Sequence, residues 1–68
     1  MSNLYKNEIK KYRKQKNMTI EELAKKSGIS AGYLCHLEKG NRKNPSTKVM
    51  ESVSNVLEKT ISEIFFAE

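Results

Sequence analysis

Cys35 and His36 are the single cysteine and single histidine of a 68-residue chain, and together they are its most obvious nucleophile and base. Neighbours on a helix project ~100° apart, so these two cannot easily form a nucleophile–base pair. One cysteine rules out an internal disulfide and a multi-cysteine metal site. One histidine beside it leaves too few soft ligands for zinc. No glycine-rich phosphate cradle, metal-ligand spacing or carboxylate pair offers another route to catalysis. Enzyme chemistry is therefore the least favoured class, with no metal and no cofactor expected. Cys35 reads as a small packing residue rather than a redox switch, because no second cysteine is present to resolve it.

The remaining chemistry is charge. The chain carries a net +5, unevenly placed. Residues 1–43 hold eleven Lys or Arg against four Glu, and residues 44–68 hold two Lys against four Glu. A basic portion followed by a mildly acidic one implies a footprint for a polyanion and a separate surface for another purpose. Nucleic acid and an anionic membrane surface both satisfy the charge alone. No apolar run approaches the ~20 residues that span a bilayer. Met1 to Lys16 carries scattered lysines and no apolar core, so it does not resemble a secretion signal, and a cytoplasmic setting is expected. A chain of this length is expected to form one domain, residues 1–68, burying only ~60% of its unfolded surface. Such a domain has little room for a lined substrate cavity or a small-molecule effector pocket.

The elements that must position these residues are all helical. A first helix is predicted from Leu4 to Lys16, with Ile9, Tyr12 and Leu4 or Tyr5 as its apolar stripe and Lys6, Lys10, Lys14 and Lys16 on its wet face. Asn17 and Met18 break it. Thr19 and Glu22 form a capping box for a second helix, Ile20 to Ser27, which Gly28 stops. Ser30 caps a third helix running to about Lys39, and Gly40 closes it. Asn41 to Asn44 is a basic loop, and Pro45 bars a helix at Asn44. Ser46 or Thr47 caps a fourth helix with Met50, Val53, Val56 and Leu57 inward. Thr60 and Glu63 form a capping box for a short fifth helix holding Ile61, Ile64, Phe65 and Phe66. Strand patterns are absent, so the expected fold class is all-α.

Ile20 to Leu37 reads as one unit. Leu23, Ile29, Leu34 and Leu37 are apolar where two helices joined by a tight turn must meet. Ala24 is small where the helices cross, and Gly28 permits the sharp reversal. On the third helix Leu34 and Leu37 point one way with Tyr33 and Glu38 flanking them. Gly32, His36 and Lys39 lie opposite, with Ala31 and Cys35 at the edge. A helix with such a small-residue outer face fits a groove ~12 Å wide.

Here the sequence resembles the phage repressor and Cro group of helix-turn-helix proteins, the XRE family. The resemblance covers about residues 9–66 and rests on the stretches IKKYRKQKNMTIEELAKKSGIS, GYLCHLEKGNRKNPS and ISEIF. It implies a five-helix, lambda-repressor-like domain with its helix-turn-helix in residues 20–39, binding double-stranded DNA as a transcriptional regulator. Carried over by position, the base-reading residues are Ala31, Gly32, Tyr33 and His36. Ala31 is suited to a thymine methyl and His36 to a purine edge, a sparse set that leaves specificity to DNA shape as well. Phosphate contacts are expected from Thr19 with the free amides that follow it, Ser30, Lys39, Asn41, Arg42, Lys43 and Asn44. Lys10, Lys14 and Lys16 add longer-range attraction. The resemblance also pairs Arg13 with Glu38 as a partly buried structural ion pair. Two departures stand out: Ser27 replaces an apolar residue, and Glu58–Lys59 replaces a glycine followed by an aliphatic residue. They bear on how the second helix is anchored and how the fourth ends.

The stretch 60–66 places Ile61, Ile64, Phe65 and Phe66 close together, more apolar surface than one short helix buries beneath itself. These four are the expected interface of a homodimer, which would set two third helices about one DNA turn apart. Within the same resemblance, a restriction-modification controller or the antitoxin of a toxin–antitoxin pair is an alternative role. A protein-binding helical module without DNA specificity is a third.

Overall fold

The computed structural model describes residues 7–41 and 44–66. Leu4, Tyr5 and Lys6 of the expected first helix lie outside the described residues, as do Arg42 and Lys43 of the basic loop. Five helices and no strand occur among the described residues: α1 Ile9–Gln15, α2 Ile20–Ser27, α3 Ala31–Glu38, α4 Thr47–Leu57 and α5 Ile61–Phe65. The all-α expectation holds.

Helix α1 begins later than its apolar periodicity predicts. Glu8 has φ −106° and ψ 24°, outside the helical region. The amide of Ile9 donates to Asn7 Oδ1 at 3.1 Å, so a side chain takes the place of a preceding turn's carbonyl. At the other end Asn17 adopts φ 54°. Its amide donates to the Lys14 carbonyl at 3.0 Å, and that of Met18 to the Arg13 carbonyl at 3.1 Å. This double closure with a left-handed residue between is a Schellman stop, built here on asparagine.

The other termini follow the capping residues. Thr19, Ser30, Ser46 and Thr60 each accept from the amide three residues on, and the Thr19–Glu22 and Thr60–Glu63 boxes are both reciprocal. Gly28 ends α2 at φ 77°. Gly40, at φ 81°, ends α3: its amide donates to the Leu37 carbonyl and that of Asn41 to the His36 carbonyl. Glu58 ends α4 at φ 59°, a conformation in which a side chain is strained. Its carboxylate accepts from Lys16 Nζ at 2.7 Å, which ties the ends of α1 and α4 together. Lys59 Nζ stands 5.0 Å from the centre of the Tyr12 ring, and the Lys11 ammonium 5.3 Å from it. The Lys59 ammonium thus makes a cation–π contact where the resemblance expects an aliphatic side chain.

Ile9, Leu23, Leu34, Leu37, Val53, Leu57 and Ile64 form the core, with at most 1% of any of them exposed. All five helices contribute. Val49 and Val56 pack against this core from α4, while Met50, expected inward, is half-buried. The Val49–Val53–Leu57 spacing of four residues sets the buried stripe instead. Helix α2 packs on α3 and α4, and α1 packs on α4 and α5. Ser27 anchors α2 through a hydroxyl that accepts from the amide of Ile29 at 3.3 Å.

Candidate nucleic-acid interface

The three residues Gly28, Ile29 and Ser30 join α2 to α3. Leu34 and Leu37 seal α3 onto the core, which leaves its opposite face to solvent. On that face Gly32, His36 and Lys39 are exposed. A methyl added at Gly32 would meet no atom within 4 Å, so nothing in the fold requires glycine there. Ala31 and Cys35 are half-buried at the edge. Tyr33 is half-buried and packs its ring against the core, so its apolar body belongs to the fold.

Two polar attachments hold the far end of α3. Arg13 Nε donates to Glu38 Oε2 at 2.7 Å and Nη2 donates to Oε1 at 3.1 Å, a two-pronged pair with only 10% and 7% of the side chains exposed. Arg13 Nη1 also donates to the Met18 carbonyl at 2.7 Å, which brings the turn before α2 into the same cluster. The hydrogen bond it donates to Glu38, reinforced by that residue's charge and opposed by burial, raises the guanidinium pKa above its ordinary value. Arg13 is thus charged at every accessible pH. Asn7 supplies the second attachment: its Nδ2 donates to the Leu37 carbonyl at 2.9 Å. Sequence reasoning missed this residue. An asparagine ahead of a helix signals a cap, but a reach of thirty positions along the chain has no local signature.

The residues expected at the phosphates fall into three groups. Ser30, Lys39, Asn41 and Asn44 are exposed, and Asn44 has φ 54°. Arg42 and Lys43 lie outside the described residues. Thr19 is exposed and forms the capping box its spacing with Glu22 predicts. Its amide donates to Glu22 Oε1 at 2.8 Å and its hydroxyl accepts from the Glu22 amide at 3.0 Å, so its backbone donor is taken by the cap. The helix-end amides without an intrahelical acceptor are those of Ile20 and Glu21. The exposed carboxylates Glu21 and Glu22 stand beside them.

The cluster expected at a dimer interface separates by burial. Ile64 is fully buried and belongs to the core, because its position on α5 faces the other helices. That expectation is corrected for Ile64. Ile61 and Phe65 are half-buried, and Phe66 is 64% exposed.

Among the described residues no group of three or more His, Cys, Asp or Glu is placed to hold a metal ion. Among the same residues no helix is long and apolar enough to cross a membrane.

A tight α2–α3 pair with a solvent-facing second helix, braced from behind by α1, defines a helix-turn-helix module. The chain belongs to the helix-turn-helix family, whose model matches residues 9–64. It is 43% identical over 60 residues to the HTH-type transcriptional regulator SlrR of Bacillus subtilis, covering 88% of this chain and 40% of that protein. To SinR of the same organism it is 42% identical over 53 residues, covering 78% of this chain and 48% of SinR. The chain thus spans less than half the length of these two relatives. The structure is similar to the N-terminal DNA-binding domain of B. subtilis SinR, with a TM-score of 0.81 and 38% identity over 88% of this chain and 86% of that one. It is also similar to SinR, described as the master regulator for biofilm formation, in complex with DNA. There the TM-score is 0.75 at 42% identity, over 78% of this chain and 84% of that one.

Proposed function

We propose that the chain is a sequence-specific DNA-binding regulator of transcription. It inserts α3 into the major groove and works as a two-fold homodimer in the cytoplasm, with residues 1–68 acting as one helix-turn-helix module. The observation that carries this reading is the division of α3. One face is locked to the core by Leu34 and Leu37, and the other presents Gly32, His36 and Lys39 with no protein cover. A face of that kind can lie close to base edges. Ala31 and His36 contact bases, Gly32 lets the backbone approach, and Tyr33 reaches toward the sugar–phosphate from its packed position. Thr19, Ser30, Lys39, Asn41, Asn44 and the Arg42–Lys43 pair hold the backbone on either side, joined by the free amides of Ile20 and Glu21. The net +5 of the chain supplies the long-range attraction. The similarity to a SinR–DNA complex supports the same docking. The exposed Phe66, flanked by Ile61 and Phe65, supports a second copy meeting this one at α5.

The test is selection of duplexes from a random-sequence library, followed by fluorescence anisotropy of the selected duplex against a scrambled one. A preference of about a thousandfold or more is expected of a specific regulator. Equal binding to both duplexes contradicts the reading and moves the function to a protein partner.

A further inference from the structure

The base-reading end of α3 is only as well aimed as the opposite end is fixed. Apolar packing of Leu34 and Leu37 holds the helix down, but it has no directional preference. Direction comes from the polar attachments at Leu37 and Glu38. One is the Arg13–Glu38 pair. The other is Asn7, whose carboxamide is used at both ends: Oδ1 accepts from the Ile9 amide at 3.1 Å and Nδ2 donates to the Leu37 carbonyl at 2.9 Å. The first bond fixes which way the amide faces, and the second applies that orientation to α3. The same stretch is tied down independently, since the amide of Glu8 donates to the Ile64 carbonyl of α5 at 2.8 Å.

We infer that Asn7 is a positioning residue for DNA recognition, acting through the orientation of α3 without touching DNA; the inference rests on the reading of α3 given above. Asn7 precedes α1 and Arg13 lies in its last turn, so the two attachments reach α3 from different points along α1. Without the Asn7 bond the angle of α3 rests on core packing, the turn from α2 and a single ion pair; the second polar attachment narrows the freedom these leave. From Glu38 to Ala31 the helix extends about 10 Å, so a swing of about 10° at the attached end moves the reading end by about 2 Å. Hydrogen bonds to base edges tolerate only a few tenths of an ångström. Phosphate contacts through flexible side chains tolerate far more, so losing the Asn7 bond costs discrimination before it costs general affinity.

The experiment compares Asn7→Ser with the unaltered chain. Serine is an equally good acceptor for a helix start but is too short to reach Leu37. Affinity is measured for the duplex the unaltered protein selects and for a scrambled duplex. Residual dipolar couplings of the α1 and α3 amides report the angle between the helices in the free protein. Asn7→Ser is expected to lower affinity for the selected duplex about tenfold. It leaves the scrambled duplex within about twofold, as only phosphate contacts remain there. It also changes the angle of α3. Asn7→Asp keeps the acceptor and lacks the donor, and its selected-to-scrambled ratio falls likewise; it decides the matter if Asn7→Ser does not fold. An unchanged ratio and an unchanged angle in the folded variants overturn the inference and leave Asn7 as a cap alone. If the unaltered protein selects no sequence, the DNA-reading function fails instead, and the couplings alone decide whether Asn7 sets the angle of α3.

Discussion

At Gly32 the fold and the proposed function ask for different residues. Glycine within a helix costs up to about 1 kcal/mol against alanine, and an added methyl meets nothing here. Gly32→Ala is therefore expected to raise the melting temperature by a few degrees while weakening binding to the selected duplex. Thermal unfolding and anisotropy on the same sample check both halves, and unchanged DNA affinity would show that no base comes close to this position. Ser54 is another position where residue and surroundings disagree. It is 5% exposed, and its hydroxyl has no hydrogen-bond partner among the described residues. Ser54→Ala removes the unsatisfied group and improves helix propensity, so urea unfolding should show a gain of about 1 kcal/mol. The Arg13–Glu38 pair behaves oppositely when halved. Arg13→Met strands a carboxylate and is expected to cost about 3 kcal/mol, a large part of the total for a chain this small, whereas Arg13→Met with Glu38→Leu recovers most of the loss. A double-mutant cycle measures the difference.

The helices show which signals are local. Four helix starts are fixed by a hydroxyl acceptor three residues ahead of its amide, and sequence alone places them. The apolar periodicity of α1 runs past the point where Asn7 captures the Ile9 amide, so periodicity alone predicts too long a helix. Met50 and Val49 are equally apolar, so sequence does not say which of them joins the stripe of α4. Only packing distinguishes them. Asn7 to Leu37 and Lys16 to Glu58 join positions far apart in sequence, and no spacing rule reaches that far. The α4 terminus carries its own prediction. Lys16, by hydrogen bond and charge, holds the Glu58 carboxyl below the ordinary glutamate range. A depressed acid stabilises the fold above its unfolded pKa and loses that contribution as pH falls through its folded one. Glu58→Gln should thus lower stability at neutral pH in low salt and shrink the acid-side loss, with the difference fading at high salt. Glu58→Gly, which also relieves the φ of 59°, should then melt above the unaltered chain in high salt.

For the molecule as a whole, charge and exposed apolar surface are separated along the chain. The basic residues concentrate in the first two-thirds of it, and among the described residues the large exposed apolar side chain is Phe66 near its end. Phe66→Ser is expected to weaken self-association in sedimentation equilibrium and leave the fold intact, since the core does not use this ring. An unchanged association constant would locate the dimer contact elsewhere. DNA recognition is proposed for a different surface, the outer face of α3. The most direct test is a titration of isotope-labelled protein with its selected duplex, following every backbone amide by NMR. The largest shifts are expected at Ala31, Gly32, His36, Lys39, Asn41 and Asn44, with α5 nearly silent. Shifts confined to α5, or a silent α3, would contradict recognition by α3.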